Sequence, residues 1–142
     1  MNITELSSSL RTAISTLHKG LRKNMSSIGA YSMTELETLG LLFRHTSLLP
    51  TELATYTRVK TQSMSQILKK LEEQGIIKRT PAKDDGRKVY ISLTQQGKKM
   101  VEKSRYEKDE WLKDTIEKSL TAKEKQMLEN ILPILNKLTT TK

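Results

Sequence analysis

The sequence contains no cysteine, few aromatic residues and no long apolar run. Without cysteine, the chain can form no disulfide framework, thiol nucleophile, cysteine-based zinc site or thiol redox sensor. One Phe, one Trp and four Tyr are too few for a wide platform on which single-stranded bases could stack. No apolar stretch approaches the roughly 20 residues of a membrane-spanning helix, and the N-terminus lacks the basic and apolar regions of a signal peptide. We therefore expect a cytoplasmic protein without a membrane segment.

The chain is instead rich in charge of predominantly one sign. Its 142 residues fit a single domain, but a hydrophobic share of 35% is low for a globular chain. Such a composition requires long solvated elements or a partner that covers apolar surface. The 25 Lys and Arg outnumber the 16 Asp and Glu, which leaves a net charge of +9. This excess favours an anionic partner, either nucleic acid or an acidic membrane surface.

The spacing of apolar residues at both ends of the chain predicts helices with an apolar stripe. In the first helix the stripe consists of Ile3, Leu6, Leu10, Ala13, Leu17 and Leu21. In the last helix it consists of Leu128, Ile131, Leu132, Leu135 and Leu138. Each stripe must pack against another helix, and for the first helix the pattern fits a neighbour in the same chain as well as one in a second subunit. Pro133 interrupts the last stripe and predicts a kink there, and the tail 139–142 is expected to fray.

The middle of the chain predicts three shorter helices. After a polar connector at 26–29, Ser32 and Glu35 form a capping box that begins the first of these helices. Pro50 is suited to the first position of the second helix, where its missing N–H costs nothing. The third helix is expected to begin at residue 60 or 61 and to end at Gln74, with Gly75 as a left-handed cap.

A basic hairpin and a long polar helix are expected to follow. The β-branched run 76–79 and the alternating pattern 88–93 predict two strands, and Asp85-Gly86 between them is a strong hairpin-turn signal. Thr94 then begins a polar helix of the kind that bridges two lobes. A second capping box, Thr121 with Glu124, begins the last helix.

The helix at 61–74 has one face that could read DNA. Its apolar side carries Met64, Ile67, Leu68 and Leu71, while the opposite side carries Gln62, Ser65, Gln66, Lys69 and Glu73. Glutamine pairs with adenine and lysine with guanine in a major groove. The stretch 58–70 contains four basic residues and no acid. A merely solvated helix face would also be polar, so this helix alone does not establish DNA binding.

The hairpin strengthens the case for DNA. It concentrates positive charge at Lys78, Arg79, Lys83, Arg87 and Lys88. A protruding basic tip can enter a minor groove, whose negative potential attracts arginine. Such charge also protects an exposed strand edge from aggregation, but a cationic helix followed by a cationic hairpin is less easily explained in that way.

The stretch from Ser32 to Lys98 resembles the winged helix–turn–helix of the MarR (multiple antibiotic resistance regulator) family. The segments that carry the resemblance are Glu52–Ala54, Thr61–Arg79, Asp85–Thr94 and Gly97. Their order and spacing together are specific. The resemblance implies a mainly α (α+β) fold in a single domain, 1–142. It places the DNA-binding lobe at 31–94, the wing at about 80–89, and a helical dimerisation lobe at 1–30 and 95–142.

The same resemblance implies which residues contact double-stranded DNA. In the major groove they are Thr61, Gln62, Ser63, Ser65, Gln66, Lys69 and Lys70. At the wing and the phosphate backbone they are Thr51, Arg58, Arg79, Lys83, Asp85, Arg87 and Lys88. Gln62, Ser63, Ser65 and Gln66 would contact bases, and the two lysines would contact phosphates. Arg87 would enter the minor groove, oriented by Asp85.

The resemblance further implies a homodimeric, ligand-responsive repressor on a pseudo-palindromic promoter site. A small phenolic or anionic effector would bind between the two lobes. His18, Tyr31, Phe43 and Trp111 could line that crevice by position, although ordinary packing is the commoner role for each. Two histidines, His18 and His45, without cysteine make a weak ligand set, so we expect no metal.

Three other functions compete with this interpretation. An enzyme is disfavoured, because the sequence has no nucleophile elbow, phosphate-cradling glycine loop or metal-binding helix motif. A basic dimer could coat DNA without sequence preference, and its specificity ratio would then be near one. A winged helix could also bind an acidic protein through the same basic surface.

Overall fold

The computed structural model describes residues 1–23 and 30–140, with the side chain of residue 140 excepted. Within these residues the elements are α1 (Ile3–Lys23), α2 (Met33–His45), β1 (Ser47–Leu48), α3 (Pro50–Thr57), α4 (Thr61–Glu73), β2 (Ile77–Pro81), β3 (Val89–Leu93), α5 (Gln95–Ser119) and α6 (Ala122–Thr140). The mainly helical fold with a basic hairpin is thereby confirmed. The predicted connector 26–29 and the end of the tail, 141–142, lie outside the described residues. No helix in the described part is long and apolar enough to cross a membrane.

The helix ends follow the local signals of the sequence. Ser32 Oγ accepts the Glu35 N–H at 3.1 Å, and Glu35 Oε1 accepts the Ser32 N–H at 2.8 Å, so the capping box is confirmed. Pro50 is the first residue of α3, and Gly75 has a left-handed φ of 75° after α4. These features depend on residues at most four positions apart, which is why the sequence alone predicts them.

The sheet has three antiparallel strands in the order β1-β3-β2. The hairpin of β2 and β3 was expected, with Ile77 opposite Leu93 and Arg79 opposite Ile91. The two-residue strand β1, which pairs Leu48 with Ile91, was not predicted. A strand this short has no alternating pattern to recognise. It forms by pairing with β3, next to which the end of α2 places it.

The connection between β2 and β3 is a seven-residue loop that contains the Asp85-Gly86 turn signal. Pro81 pairs with Val89, so residues 82–88 form the loop. The Lys88 N–H donates to the Asp85 carbonyl at 3.0 Å, which closes a turn around Gly86. A tight Asn-Gly or Asp-Gly hairpin turn requires positive φ at both central residues, but Gly75 is the glycine with positive φ among the described residues. Strand pairing ends at Pro81, so Asp85-Gly86 turns the chain within a longer loop and not as a two-residue hairpin turn.

One hydrophobic core holds α2, α3, α4 and the sheet together. Its fully buried members include Leu39, Leu42, Leu53, Met64, Leu68, Leu71, Ile77 and Ile91. The predicted apolar side of α4 faces this core, with Ile67 partly buried at its margin. Because three side chains of α4 are anchored here, the opposite side of the helix is directed outward.

The terminal helices leave their apolar stripes uncovered. No residue of α1 is buried, and its Ile3, Leu6, Ile14 and Leu17 are exposed. In α6 the side chain of Leu135 is partly buried, and every other described side chain is exposed. Pro133 lies inside α6, which continues through it, so the predicted kink stays a prediction. Among the described residues, the members of these stripes that are partly buried are Leu10, Leu21 and Leu135, and the others lack a covering helix.

Candidate nucleic-acid interface

The outward side of α4 presents hydrogen-bonding side chains without partners in the described chain. Thr61, Gln62, Ser63, Ser65, Gln66 and Lys69 are all exposed. None of these side chains forms a hydrogen bond or ion pair with another described residue. Their amides, hydroxyls and ammonium group therefore remain available to an external partner. Such groups match the donors and acceptors along the edges of base pairs in the major groove.

Lys70 differs from its neighbour Lys69. Its Nζ lies 2.8 Å from Glu35 Oε2 and 5.8 Å from the centre of the Tyr31 ring. Its ammonium group is thus directed toward α2 instead of the outward side of α4. Sequence reasoning had placed Lys70 with Lys69 among the phosphate contacts and had not connected it to Glu35.

Glu35 is a carboxylate with almost no contact with solvent. Its side chain is 7% exposed and receives both the Ser32 N–H and the Lys70 ammonium group. Burial raises the pKa of Glu35, but the hydrogen bonds and the charge of Lys70 outweigh burial and hold the pKa below its ordinary value. Glu35 is consequently ionised at neutral pH and keeps its pair with Lys70.

The wing carries an arginine that is accessible to an external partner. The Arg87 side chain is 94% exposed, and its Nε lies 3.4 Å from Asp85 Oδ1. The same oxygen accepts the Arg87 N–H at 3.0 Å. Asp85 therefore shapes the turn and orients the guanidinium group, while Lys83 and Lys88 are exposed on either side.

The remaining predicted backbone contacts occupy different positions around α4. Arg79 Nε donates to Glu72 Oε1 at 3.0 Å, so β2 is tied to the end of α4 by a cation that sequence reasoning had assigned to DNA. Thr51 is exposed in the first turn of α3. Arg58 ends α3 in the left-handed conformation, with φ 58° and ψ 37°. This conformation lets the chain turn sharply into α4.

A small junction holds the base of the wing against the end of α4. Thr94 Oγ1 donates to the Gly75 carbonyl at 2.6 Å and accepts the Gly97 N–H at 3.1 Å. The Thr94 N–H donates to the Ile76 carbonyl at 3.0 Å. A Cβ on Gly97 would collide with that carbonyl oxygen. The resemblance included Gly97, but only the structure shows that it allows α5 to approach the α4–β2 turn.

A crevice lies between α1, α2 and α5 and has a volume of about 340 Å³. His18 lines it together with three basic side chains, Arg22, Arg44 and Lys108, and one acidic side chain, Glu37. The three aromatic residues proposed with His18 are not among its lining residues. Tyr31 lies beneath Lys70, Phe43 lies 4.5 Å from the Arg105 guanidinium group, and Trp111 packs on Gly20. Each of the three makes a packing contact within the chain, which was the commoner role expected for them.

The described residues contain no group of three or more His, Asp or Glu side chains placed to hold a metal ion.

Comparison with known proteins places these features in a family. Residues 31–89 match the model of the MarR family. An uncharacterised HTH-type transcriptional regulator of Mycobacterium bovis is 30% identical over 92% of this chain and 90% of its own. The structure of a candidate transcriptional regulator from Pseudomonas aeruginosa PA01 superimposes with a TM-score of 0.84 at 26% identity, covering 98% of this chain and 97% of that one. An S. aureus MepR mutant bound to an oligodeoxyribonucleotide superimposes with a TM-score of 0.71 at 25% identity, covering 94% and 97%.

Proposed function

Because the chain belongs to the MarR family of winged-helix, DNA-binding transcriptional regulators, we propose that it is a homodimeric, ligand-responsive repressor of a pseudo-palindromic promoter site. The observation that carries sequence-specific binding is the set of amide and hydroxyl side chains on α4 that are exposed and unpaired among the described residues. The exposed Arg87 of the wing follows them in the chain. A transcriptional regulator acts where the chromosome is, so we place the protein in the cytoplasm.

The proposed roles follow from position and availability. Gln62, Ser63, Ser65 and Gln66 contact bases because they are exposed and unpaired. The wing contacts the backbone through Lys83 and Lys88 and reaches the minor groove with Arg87. Phosphate contacts by exposed cations give affinity without sequence information, while the base contacts give specificity.

A homodimer is supported by the uncovered apolar surface of the terminal helices. The exposed side chains of α6 include Met127, Leu128, Ile131, Leu132, Ile134 and Leu138. Exposed apolar area of this kind marks an interface, and a second copy of the chain supplies a matching stripe. We assign α1, α5 and α6 to the dimerisation lobe. A two-fold dimer presents two recognition helices to half-sites about one DNA turn apart.

An effector site is supported by the crevice between α1, α2 and α5. Arg22, Arg44 and Lys108 contribute three positive charges to it against the one negative charge of Glu37. Apolar side chains such as Leu36 complete its wall. This lining suits a small phenolic or anionic molecule. Since the crevice touches both α1 and α2, a bound molecule can change the angle between the lobes, and a coupling of about 1–3 kcal/mol is sufficient to alter DNA affinity. Repression, the commoner outcome in this family, is the mode we propose.

Fluorescence anisotropy tests this function. The purified protein is titrated with DNA from upstream of its own gene and with a scrambled duplex, over a series of salt concentrations. Tight binding to the upstream duplex alone, with a steep salt dependence, is expected. If the protein binds both duplexes equally, the measurement is repeated with a duplex selected by the protein from a random pool. Equal affinity for that duplex and its scrambled version would indicate a DNA-coating protein. No binding at low salt would indicate an acidic protein partner.

The effector proposal has its own assay. Small phenols and carboxylic acids are added to the preformed protein–DNA complex, and the decrease in anisotropy is followed. Release by such a ligand from the wild type, and a weaker response in Arg44→Ala, are expected. If the two proteins respond equally to every ligand that releases DNA, the crevice is not the effector site.

A further inference from the structure

The recognition helix α4 is attached to α2 by one ion pair in addition to the core. Lys70 Nζ and Glu35 Oε2 are 2.8 Å apart. The pair is asymmetric, because the carboxylate is buried while the lysine side chain is 45% exposed. A buried carboxylate that loses its cation is left unpaired, so the pair resists separation.

Glu35 also organises the start of α2. Its Oε1 accepts the Ser32 N–H in the capping box, and its Oε2 faces Lys70. One rigid side chain therefore joins the N-terminus of α2 to the last turn of α4. The direction of α4 relative to α2 is constrained at this point, beyond what apolar packing alone requires, because hydrogen bonds and charge pairs depend on geometry more strongly than apolar contacts do.

The pair continues toward α1. The Tyr31 ring lies beneath Lys70, and the Tyr31 carbonyl accepts a hydrogen bond from Arg22 Nη2 at 2.7 Å. Arg22 belongs to α1 and lines the crevice. A contiguous set of contacts thus runs from the crevice through Tyr31 and Lys70 to the recognition helix.

Lys69 and Lys70 provide a comparison within one helix. Lys69 is exposed and has no ionic partner among the described residues, as a phosphate ligand requires. Lys70 would have to abandon Glu35 to reach a phosphate. Adjacent lysines therefore have different roles.

We propose that Glu35 is a positioning residue for DNA recognition: by holding Lys70 it sets the orientation in which the polar side of α4 meets the base edges, and Lys70 itself contacts no phosphate. This inference rests on the proposed DNA-binding function. It deepens that function by naming a specificity-determining pair that lies away from the DNA.

Removing the negative charge of Glu35 separates a positioning role from a general electrostatic effect, because the two predict opposite changes in DNA affinity. Glu35→Gln keeps a side chain that can form a capping box but removes a negative charge from a protein of net charge +9. Electrostatics alone would strengthen its binding to any DNA. The positioning role instead predicts binding to the specific duplex that is at least about tenfold weaker, a change of about 1.4 kcal/mol. Glu37→Gln, in the same helix and without an ion pair among the described residues, is the charge-matched control. Glu37 lines the crevice, so the comparison is made without effector, where this variant should bind DNA as well as the wild type or slightly better.

The lysines complete the experiment. Affinities for a duplex selected by the wild type from a random pool, and for its scrambled version, are measured by anisotropy over a KCl series. We expect Lys69→Gln to weaken binding to both duplexes and to reduce the salt slope by about 1, because one phosphate is no longer neutralised. We expect Lys70→Gln to weaken binding to the selected duplex alone, with the salt slope unchanged. The double variant Glu35→Gln/Lys70→Gln should be no weaker than either single variant, and Lys70→Arg should restore the affinity.

Two results would overturn the proposal. One is a Lys70→Gln variant whose salt slope falls on both duplexes as that of Lys69→Gln does, because Lys70 would then be a phosphate ligand. The other is Glu35→Gln binding the selected duplex as tightly as Glu37→Gln. If circular dichroism shows that Glu35→Gln is unfolded, the affinities and salt slopes of Lys70→Gln and Lys70→Arg test the proposal without it. A wild type without preference for any duplex refutes the DNA-reading function itself, whereas a selective wild type with unaffected variants refutes only the positioning role.

Discussion

Three glycines in helices of this protein predict different responses to the same substitution. A Cβ on Gly97 would collide with the Ile76 carbonyl oxygen and lie 3.3 Å from Ile76 Cγ2. A Cβ on Gly40 would meet nothing within 4 Å. Gly20 is intermediate, because its Cβ would lie 2.9 Å from Cη2 of the Trp111 ring, which can shift.

The expected magnitudes follow from these distances. Overpacking costs about 1–3 kcal/mol, and in Gly97→Ala the obstacle is backbone, which must move. That movement also weakens the Thr94 hydrogen bonds to Gly75 and Gly97, each contributing about 1 kcal/mol. We expect a total destabilisation of about 3 kcal/mol. Gly40→Ala should gain up to about 1 kcal/mol from helix propensity, and in Gly20→Ala the gain and the clash should nearly cancel.

Urea unfolding followed by circular dichroism measures all three changes at one protein concentration. For a chain of this length, a destabilisation of about 3 kcal/mol corresponds to a Tm lower by about 10 °C. A Gly97→Ala protein as stable as the wild type would refute the close approach of α5 to the α4–β2 turn. A Gly40→Ala protein that is destabilised would show that another surface, such as a second subunit, covers Gly40.

Three further predictions concern the wing, the dimer and acid stability. Arg87→Ala should weaken binding to the specific duplex at least about tenfold without changing Tm, because the side chain is 94% exposed; unchanged affinity at physiological salt would refute the wing assignment. Leu132→Glu should produce monomers in sedimentation velocity, whereas Gln126→Glu, on the side of α6 opposite Leu135, should leave the dimer intact; a Leu132→Glu dimer would refute the proposed interface. The pKa of Glu35 is lower in the folded protein than its ordinary value of about 4.5. The ionised carboxylate therefore stabilises the fold fully above that ordinary pKa, and this stabilisation disappears as the pH falls through the lower folded pKa. Thermal melts on acidification should therefore show a destabilisation in the wild type that is smaller in Glu35→Gln, and identical acid profiles would contradict this linkage.

Much of the fold was predictable because its signals are local. The capping boxes at Ser32 and Thr121, Pro50 at the start of α3 and Gly75 after α4 each depend on hydrogen bonds or φ values within a few residues. The period of the apolar residues likewise predicted which side of α4 is buried. Such features can be recognised in a short segment considered by itself.

The features that the sequence did not predict depend on contacts between distant residues. Strand β1 depends on pairing with β3, across more than forty positions. The width of the wing is set by where the pairing of Pro81 with Val89 ends, and not by the Asp85-Gly86 dipeptide. The packing of Tyr31 beneath Lys70 and of Phe43 beneath Arg105 also could not be recognised from position along the chain.

The sequence by itself therefore determined the helices, the two strands of the wing, the buried side of α4, the basic character of the surface and the family to which these belong. Each of these arises from residue types and spacing along one segment. Only the tertiary structure decided which cations are available. Lys69 and Lys70 are neighbours in sequence, and Arg79 and Arg87 belong to one hairpin. Yet Lys69 has no ionic partner among the described residues, and the Arg87 side chain is 94% exposed. The other two are held by Glu35 and Glu72. The choice depends on which carboxylate the packing of α2, α4 and β2 brings within about 3 Å, and this distance is a property of the folded chain.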